Sequence, residues 1–343
     1  MKCKYLDHQI CIRTTGEFRL CCISREESQQ YNIQTHTIEQ WLNSDTHRTA
    51  LKLMSEDVFP SACEKCEMEE KLGVVSMRQK TRVYGPGISH LDIRFGNNCN
   101  LQCVMCHPFS SSSLLQEHKK LGDQSPWGTI QVESLDWYED NLADQLASIP
   151  TLKEVYLTGG EPMMVKGLDK FLKKLDSSVA IRFNTNGTIY NKRILDELSR
   201  FGYVNMCFSV DGIGKVNDYI RYGSNFDEIE QNLKIAIDKG FEVSLGPTVQ
   251  IFNCLYMQEL YDFAKNYNIK VYENFLITPD HYALQHAVID LKKDLIMFKE
   301  YTNELANKQE KENLIRITKV FDNSRNIKIK DYLPELCRYY DFD

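Results

Sequence analysis

The sequence predicts an α/β protein: a partial, six-unit (β/α) TIM-like barrel, with a small cysteine-rich hairpin and helix module before it and a helical extension after it. Three observations carry this reading. Six strand-like runs alternate with amphipathic helical stretches, the pattern of a parallel sheet with helices on its outside. Polar turns follow several of those strands directly, at the end where such barrels gather their function. The cysteines fall mainly into two groups, one ahead of the first barrel strand and one directly behind it.

The strands are expected at Leu91–Phe95, Glu154–Leu157, Ala180–Asn184, Val204–Val210, Glu242–Gln250 and Ile269–Ile277, which assigns residues 88–280 to the barrel. Helices are expected at Leu168–Leu175, Lys192–Phe201, Asp227–Lys239 and Met257–Tyr267, where apolar residues recur at helical spacing. Between the first two strands lies a long connection, His107 to Pro150, with a helix start at Ser110–Ser113 and a second helix near Trp137–Leu146. Residues 1–87 form the preceding module. Within it Gln9–Arg13 and Glu17–Leu20 alternate around Thr15-Gly16 like a hairpin, and Tyr84-Gly-Pro-Gly87 reads as a linker. Residues 281–343 carry periodic Leu, Ile and Phe and read as helical.

Composition narrows the function. The chain has 343 residues, 42% hydrophobic and 26% charged, the balance of an ordinary globular protein with room for a large core. A net charge of −7 argues against nucleic acid as a partner, since that role calls for a basic face. The mixed run Lys308–Glu312 reads as a solvated helix face. No apolar export segment opens the chain and no stretch is long enough to span a membrane, so a cytoplasmic location is expected. In a reducing compartment, clustered cysteines more often bind metal than form disulfides.

The chemistry concentrates at four strand ends. After the first comes Cys99-Asn-Leu-Gln-Cys103-Val-Met-Cys106. Three thiolates on one tight loop can hold three irons of a cubane cluster and leave the fourth open to a small molecule; alone, the loop could equally be a redox loop or part of a zinc site. After the second strand comes Thr158-Gly-Gly-Glu-Pro162, whose glycines let backbone approach a ligand closely. Asn184-Thr-Asn-Gly-Thr188 follows the third, and Ser209-Val-Asp-Gly212 the fourth, with Arg221 downstream.

In combination these motifs resemble the radical S-adenosylmethionine (radical SAM) superfamily over roughly residues 88–255. The resemblance implies that Cys99, Cys103 and Cys106 bind a [4Fe–4S] cluster whose open iron chelates the amino and carboxylate groups of SAM. It assigns Gly159, Gly160 and Glu161 to the SAM amino group, Asn186 to the pocket wall and Ser209 to a ribose hydroxyl. Arg221 would pair with the SAM carboxylate, which suits the fixed fork of arginine. Gly246 and Val249 would lie against the adenine. Met105 stands where an aromatic residue is common in the family, and it too is apolar. The implied reaction is reductive cleavage of SAM to a 5′-deoxyadenosyl radical that takes hydrogen from a substrate, fed by an electron donor such as flavodoxin or ferredoxin.

Cys3 and Cys21 frame a Cys-x12-Gly-x4-Cys stretch, and Cys63-Glu-Lys-Cys66 follows. This resembles the Twitch module, a shortened SPASM domain that binds an auxiliary [4Fe–4S] cluster, although in most relatives it follows the barrel. The implied ligands are Cys3, Cys21, Cys63 and Cys66, with Cys11 a rival for Cys3 and Cys22 for Cys21; structural zinc is the competing occupant. Cys207, two residues before Ser209 on one strand face, is a candidate hydrogen-atom donor, though a buried cysteine is more often a small apolar filler. Glu273 is a candidate substrate base or a surface carboxylate. By analogy with relatives carrying such modules, the expected substrate is a peptide or protein side chain. The alternatives are a small molecule, an aminosugar or nucleotide, and a non-catalytic iron–sulfur electron carrier.

Overall fold

The computed structural model describes residues 3–25, 31–71, 73, 75–80, 85–130, 133, 135–295, 297–298 and 307–342, so part of the expected linker, Tyr84, lies outside the described residues. The chain divides into two compact units. The first comprises Met1–Asn98, Ser134–Asn184 and Asn191–Asn205; the second comprises Cys99–Glu133, Thr185–Tyr190 and Met206–Asp343. The strands of the main sheet are, in chain order, β1 (Gln9–Ile12), β2 (Phe18–Arg19), β3 (His90–Ile93), β4 (Glu154–Leu157), β5 (Ala180–Thr185), β6 (Val204–Phe208), β7 (Glu242–Leu245) and β8 (Lys270–Val271).

In the first unit the order is β2-β1-β3-β4-β5. Pairing is parallel from β1 through β5, and only the hairpin β1–β2 is antiparallel. One row of aligned residues is Ile10, Leu91, Val155 and Ile181, and another is Ile12, Ile93, Leu157 and Phe183. All eight are at most 1% exposed and form the apolar face of the sheet. Phe95, two residues beyond Ile93 on the same face, meets Phe171 of the helix Leu168–Lys174 edge to face. Strand periodicity therefore predicts which face the helices cover.

The hairpin expected at the N-terminus forms, and β1 does more than pair with its return strand. It is also a full parallel partner of β3. The reason is visible in Ile10-Cys11-Ile12, every one 0% exposed. A strand buried on both faces is continuously apolar, the mark of a parallel interior strand.

In the second unit the Ser209 N–H donates to Thr185 O at 2.8 Å, the Gly246 N–H donates to Phe208 O at 2.9 Å, and β7 pairs in parallel with β8. The two long strands expected at Glu242–Gln250 and Ile269–Ile277 are each interrupted. Pro247 has no N–H to offer a ladder, and beyond it Thr248–Val249 pairs with Asn274–Phe275 as a separate two-stranded sheet. Helices Phe226–Asp238 and Met257–Asn266 fall within one residue of expectation at each end. The C-terminal residues are helical, led by Lys308–Arg325, whose first turn is capped by Asn307. No described helix is long and apolar enough to cross a membrane.

Candidate functional site

In the second unit the cysteine loop is tied down at almost every turn. Ser111, Ser112 and Ser113, read from sequence only as a helix start, all turn their hydroxyls on it. Ser111 Oγ donates to Leu101 O at 2.6 Å, while Ser112 and Ser113 donate to Cys99 O at 3.1 and 2.8 Å. The Cys99 N–H in turn donates to Ser112 Oγ at 3.1 Å. Gln102–Cys103 pairs antiparallel with Arg221–Tyr222, which sets Cys103 opposite Arg221. A buried bidentate pair, Arg325 with Glu117, adds a third anchor: Arg325 Nη2 also donates to Gln102 O at 2.8 Å. Neither Glu117 nor Arg325 carries a motif, so nothing in sequence pointed to this latch between residues 208 positions apart.

Two polar side chains aim N–H groups at the loop sulfurs. Asn186 Nδ2 lies 3.9 Å from Cys99 Sγ and donates to Asn100 Oδ1 at 2.9 Å. Arg221 Nη1 lies 4.0 Å from Cys103 Sγ. Burial pushes the Cys103 thiol up to about 12 and the Cys106 thiol up to about 11. Thiols so protonated must release their protons to bind metal, and N–H donors aimed at sulfur stabilise the thiolate once formed and tune the metal it holds. The donor set fits an iron–sulfur cluster.

Arg221 is held by a partner that sequence reasoning quoted but gave no role. Its Nε pairs with Asp211 Oδ2 at 2.8 Å, and both side chains are almost wholly buried. Burial works against the Arg221 charge, but Asp211 and the Cys103 thiol outweigh it, so the guanidinium stays charged. Asp211 is also a junction. Its Oδ1 accepts from Thr248 N at 2.6 Å, its N–H donates to Asn217 Oδ1 and its carbonyl accepts from Asn253 Nδ2.

Ser209 is half-buried one residue past β6, on the face that also carries Cys207. Gly246 abuts that cysteine: a Cβ there would stand 2.8 Å from Cys207 Sγ. Val249 is fully buried in the short parallel pair with Phe275 as its register partner. Glu273 is exposed and accepts from Tyr261 OH at 2.8 Å, which places it on the surface.

In the first unit, Gly159, Gly160 and Glu161 run against the backbone that follows β3. The Gly160 N–H donates to Gly96 O at 3.2 Å and the Glu161 N–H to Asn98 O at 2.7 Å. Gly159 has φ +127, and a Cβ on Gly160 would sit 2.3 Å from Asn98 O. Only glycine fits at the second position. Gly160→Ala is therefore expected to destabilise the protein by about 1–3 kcal/mol through forced overpacking, read as a lowered urea midpoint; an unchanged midpoint would refute the close approach. Glu161 is 1% exposed and caps the turn Pro162–Met164 through Met163 N.

Also in the first unit, Cys3, Cys21, Cys63 and Cys66 line one small cavity, together with Met54, Ala62 and Met77. The two rival cysteines do not line it. Cys11 is fully buried within β1, and Cys22 Sγ instead contacts Met77 Sδ at 3.7 Å. Among the described residues, no three His, Cys, Asp or Glu side chains are gathered closely enough to grip a single ion.

A parallel α/β fold and, in the second unit, a braced loop of three thiols fit an enzyme class built around a metal cluster. The family model of the radical SAM superfamily matches residues 93–264, half of the chain, and the protein belongs to that superfamily. Enzymes of that superfamily use SAM and a [4Fe–4S] cluster and need a reductant and a substrate. Curated relatives include GTP 3',8-cyclase of Helicobacter pylori (strain HPAG1), 24% identical over 195 residues, covering 54% of each chain. GTP 3',8-cyclase of a Synechocystis strain is 26% identical over 192 residues, covering 55% of this chain and 54% of the relative. The chain thus spans about half the length of these curated relatives. Similar solved structures include anSMEcpe with bound AdoMet and Cp18Cys peptide, at 15% identity and TM-score 0.43, covering 69% of this chain and 61% of that one. Streptococcus suis SuiB bound to precursor peptide SuiA aligns at 14% identity and TM-score 0.41, covering 80% of this chain and 64% of that one.

Proposed function

We propose that Cys99, Cys103 and Cys106 hold the SAM-binding cluster, and that the protein abstracts hydrogen from a carbon of a peptide or protein side chain. The observation that carries the ligand assignment is the pair of N–H donors, Asn186 and Arg221, directed at two of the three thiol sulfurs. When bound, the cluster and SAM supply one-electron cleavage of the S–C5′ bond, giving methionine and a 5′-deoxyadenosyl radical able to attack an unactivated carbon. The remaining work belongs to the chain. Arg221, its Nε committed to Asp211 and its Nη1 turned to the Cys103 sulfur, keeps Nη2 for the SAM carboxylate, a charge-assisted contact. Gly159, Gly160 and Glu161 receive the SAM amino group, Ser209 a ribose hydroxyl, and Gly246 and Val249 wall the adenine. Asn186 shapes the pocket, and Cys207, whose Sγ packs against Gly246, is a candidate hydrogen donor to a substrate radical or a small apolar filler.

Residues 1–87 are proposed as the auxiliary module, 88–280 as the barrel and 281–343 as the helical extension. The shared cavity of Cys3, Cys21, Cys63 and Cys66 supports their choice over Cys11 and Cys22 as ligands of a second [4Fe–4S] cluster. Four thiolates complete such a cluster and leave it for electron transfer, with flavodoxin or ferredoxin as the external donor in the cytoplasm. A second reading, rearrangement or dehydrogenation of a small molecule, is favoured by the curated relatives named GTP 3',8-cyclase. Anaerobically reconstituted protein should hold about eight irons, four per cluster, and release 5′-deoxyadenosine with SAM and dithionite. The variant carrying Cys63→Ala and Cys66→Ala should lose about half of that iron. Full iron in that variant would overturn the auxiliary ligand set, and iron without any nucleoside would overturn the SAM-cleaving role.

A further inference from the structure

The polar face of the first unit's sheet has a charge imbalance that no motif accounts for. Parallel register aligns Cys11, Asp92, Tyr156 and Arg182 in one row on the face opposite the helices, with Arg19 of β2 next to Cys11. Two residues further, Arg13 and Arg94 follow β1 and β3 on that same face, by the strict alternation of a strand. Arg13 and Arg94 therefore stand side by side at the C-terminal ends of neighbouring parallel strands, where the loops of such sheets bind ligands. Arg94 is also next to the glycine turn: a Cβ on Gly159 would lie 3.1 Å from Arg94 Cβ.

The anionic groups nearby do not balance these cations. Glu17 pairs with Arg19 at 3.2 Å, and Glu154 with Arg182 at 3.6 Å. Asp92, its side chain 2% exposed, is left to serve both Arg13 and Arg94 and also accepts from the Cys11 thiol. Its contact to Arg94 is long at 3.6 Å. Arg94 Nη1 is buried and has no hydrogen-bond partner among the described residues. Arg13 spends Nη1 on the Cys22 carbonyl, at 3.0 Å, a neutral acceptor. Burial first, and then the neighbouring Arg94 charge, push the Arg13 pKa down, as expected for cations crowded together away from water. Asp92 holds the Arg94 charge in place against burial, and the guanidinium nitrogen it leaves unpartnered can donate to a further anion.

We infer that Arg13 and Arg94 bind an oxyanion, a carboxylate or a phosphate, carried by the substrate. Calling the anion substrate rests on the radical SAM reading above; the site itself does not. A carboxylate would come from an acidic peptide side chain or terminus, and a phosphate from a nucleotide or sugar phosphate. The two sources match the two substrate readings, so the site also separates them.

The test uses the reconstituted full-length protein, with labelled inorganic pyrophosphate and a fluorescent tetraglutamate peptide as separate probes in equilibrium dialysis. At least one probe should bind saturably, and the one bound more tightly names the source of the anion. Arg94→Gln and Arg13→Gln should each weaken that binding about tenfold or more, the loss of a charge-assisted contact. Arg94→Lys keeps the charge without the fork and should fall between. Arg193→Gln, exposed on the helix Lys192–Leu198, should change nothing. Should Arg94→Gln fail to fold, Arg13→Gln carries the comparison. The inference is wrong if neither probe binds the wild-type protein, or if binding ignores both arginines. Release of 5′-deoxyadenosine by the wild-type protein, measured without either probe, judges the proposed function separately.

Discussion

Alanine at Cys99, Cys103 and Cys106 together is expected to abolish SAM cleavage and to leave about four irons of about eight, those of the proposed auxiliary cluster. Cys103 and Cys106 sit where burial holds the thiol protonated, so they gain nothing from being thiolates unless a metal takes the place of the proton. Asn186 and Arg221 already supply the N–H groups that a metal-bound sulfur would accept. The loop itself should survive the substitution, because its bracing is independent of the thiols. Ser111, Ser112 and Ser113 hold it by backbone carbonyls, and Arg325 holds Gln102 O. The triple variant should therefore fold, as judged by its circular dichroism, and lose iron and 5′-deoxyadenosine together. Retention of all the iron would mean that the cluster lies elsewhere.

The second large effect is expected at Asp211. Asp211→Asn removes the charge opposite Arg221 while keeping the side-chain shape, and strands a guanidinium that is buried. Breaking a buried pair from one side costs about 3–5 kcal/mol, while the amide oxygen of the new Asn can still accept from Thr248 N. That penalty comes from an uncompensated buried charge, and it falls away once the charge itself is removed. Asp211→Asn combined with Arg221→Met should therefore recover much of the urea midpoint lost by Asp211→Asn alone. SAM affinity should not recover with it, since the guanidinium proposed to bind the SAM carboxylate is then gone. Equal stability of the single and double variants would show that the two side chains do not act as a pair.

The candidate ligands and turns were legible in sequence because they are local. Cys99, Cys103 and Cys106 lie on one loop, and Gly159-Gly-Glu and Ser209-Val-Asp-Gly each follow a strand at a fixed offset, so periodicity placed them near strand ends. The brace was not legible. Arg325 and Glu117 meet across 208 positions, and nothing local distinguishes either from a surface ion. Asp211 was quoted within its motif, yet its pairing with Arg221 depends on how the chain returns beside Cys103. The role of β1 was missed for a different reason. Ile10-Cys11-Ile12 is too short a run for its burial on both faces to stand out beside an obvious hairpin turn. The same miss hid Arg13, which neighbours Arg94 only because β1 pairs in parallel with β3.

Electron paramagnetic resonance of the anaerobic, dithionite-reduced protein, recorded before and after SAM is added, tests the central assignment most directly. An open iron that takes SAM's amino acid end changes its ligand field, so the spectrum of the reduced cluster should shift in g values and line shape. The Cys99, Cys103 and Cys106 triple variant, retaining only the iron of the proposed auxiliary cluster, should show no such shift. An unchanged spectrum in the wild-type protein would contradict the account at its base.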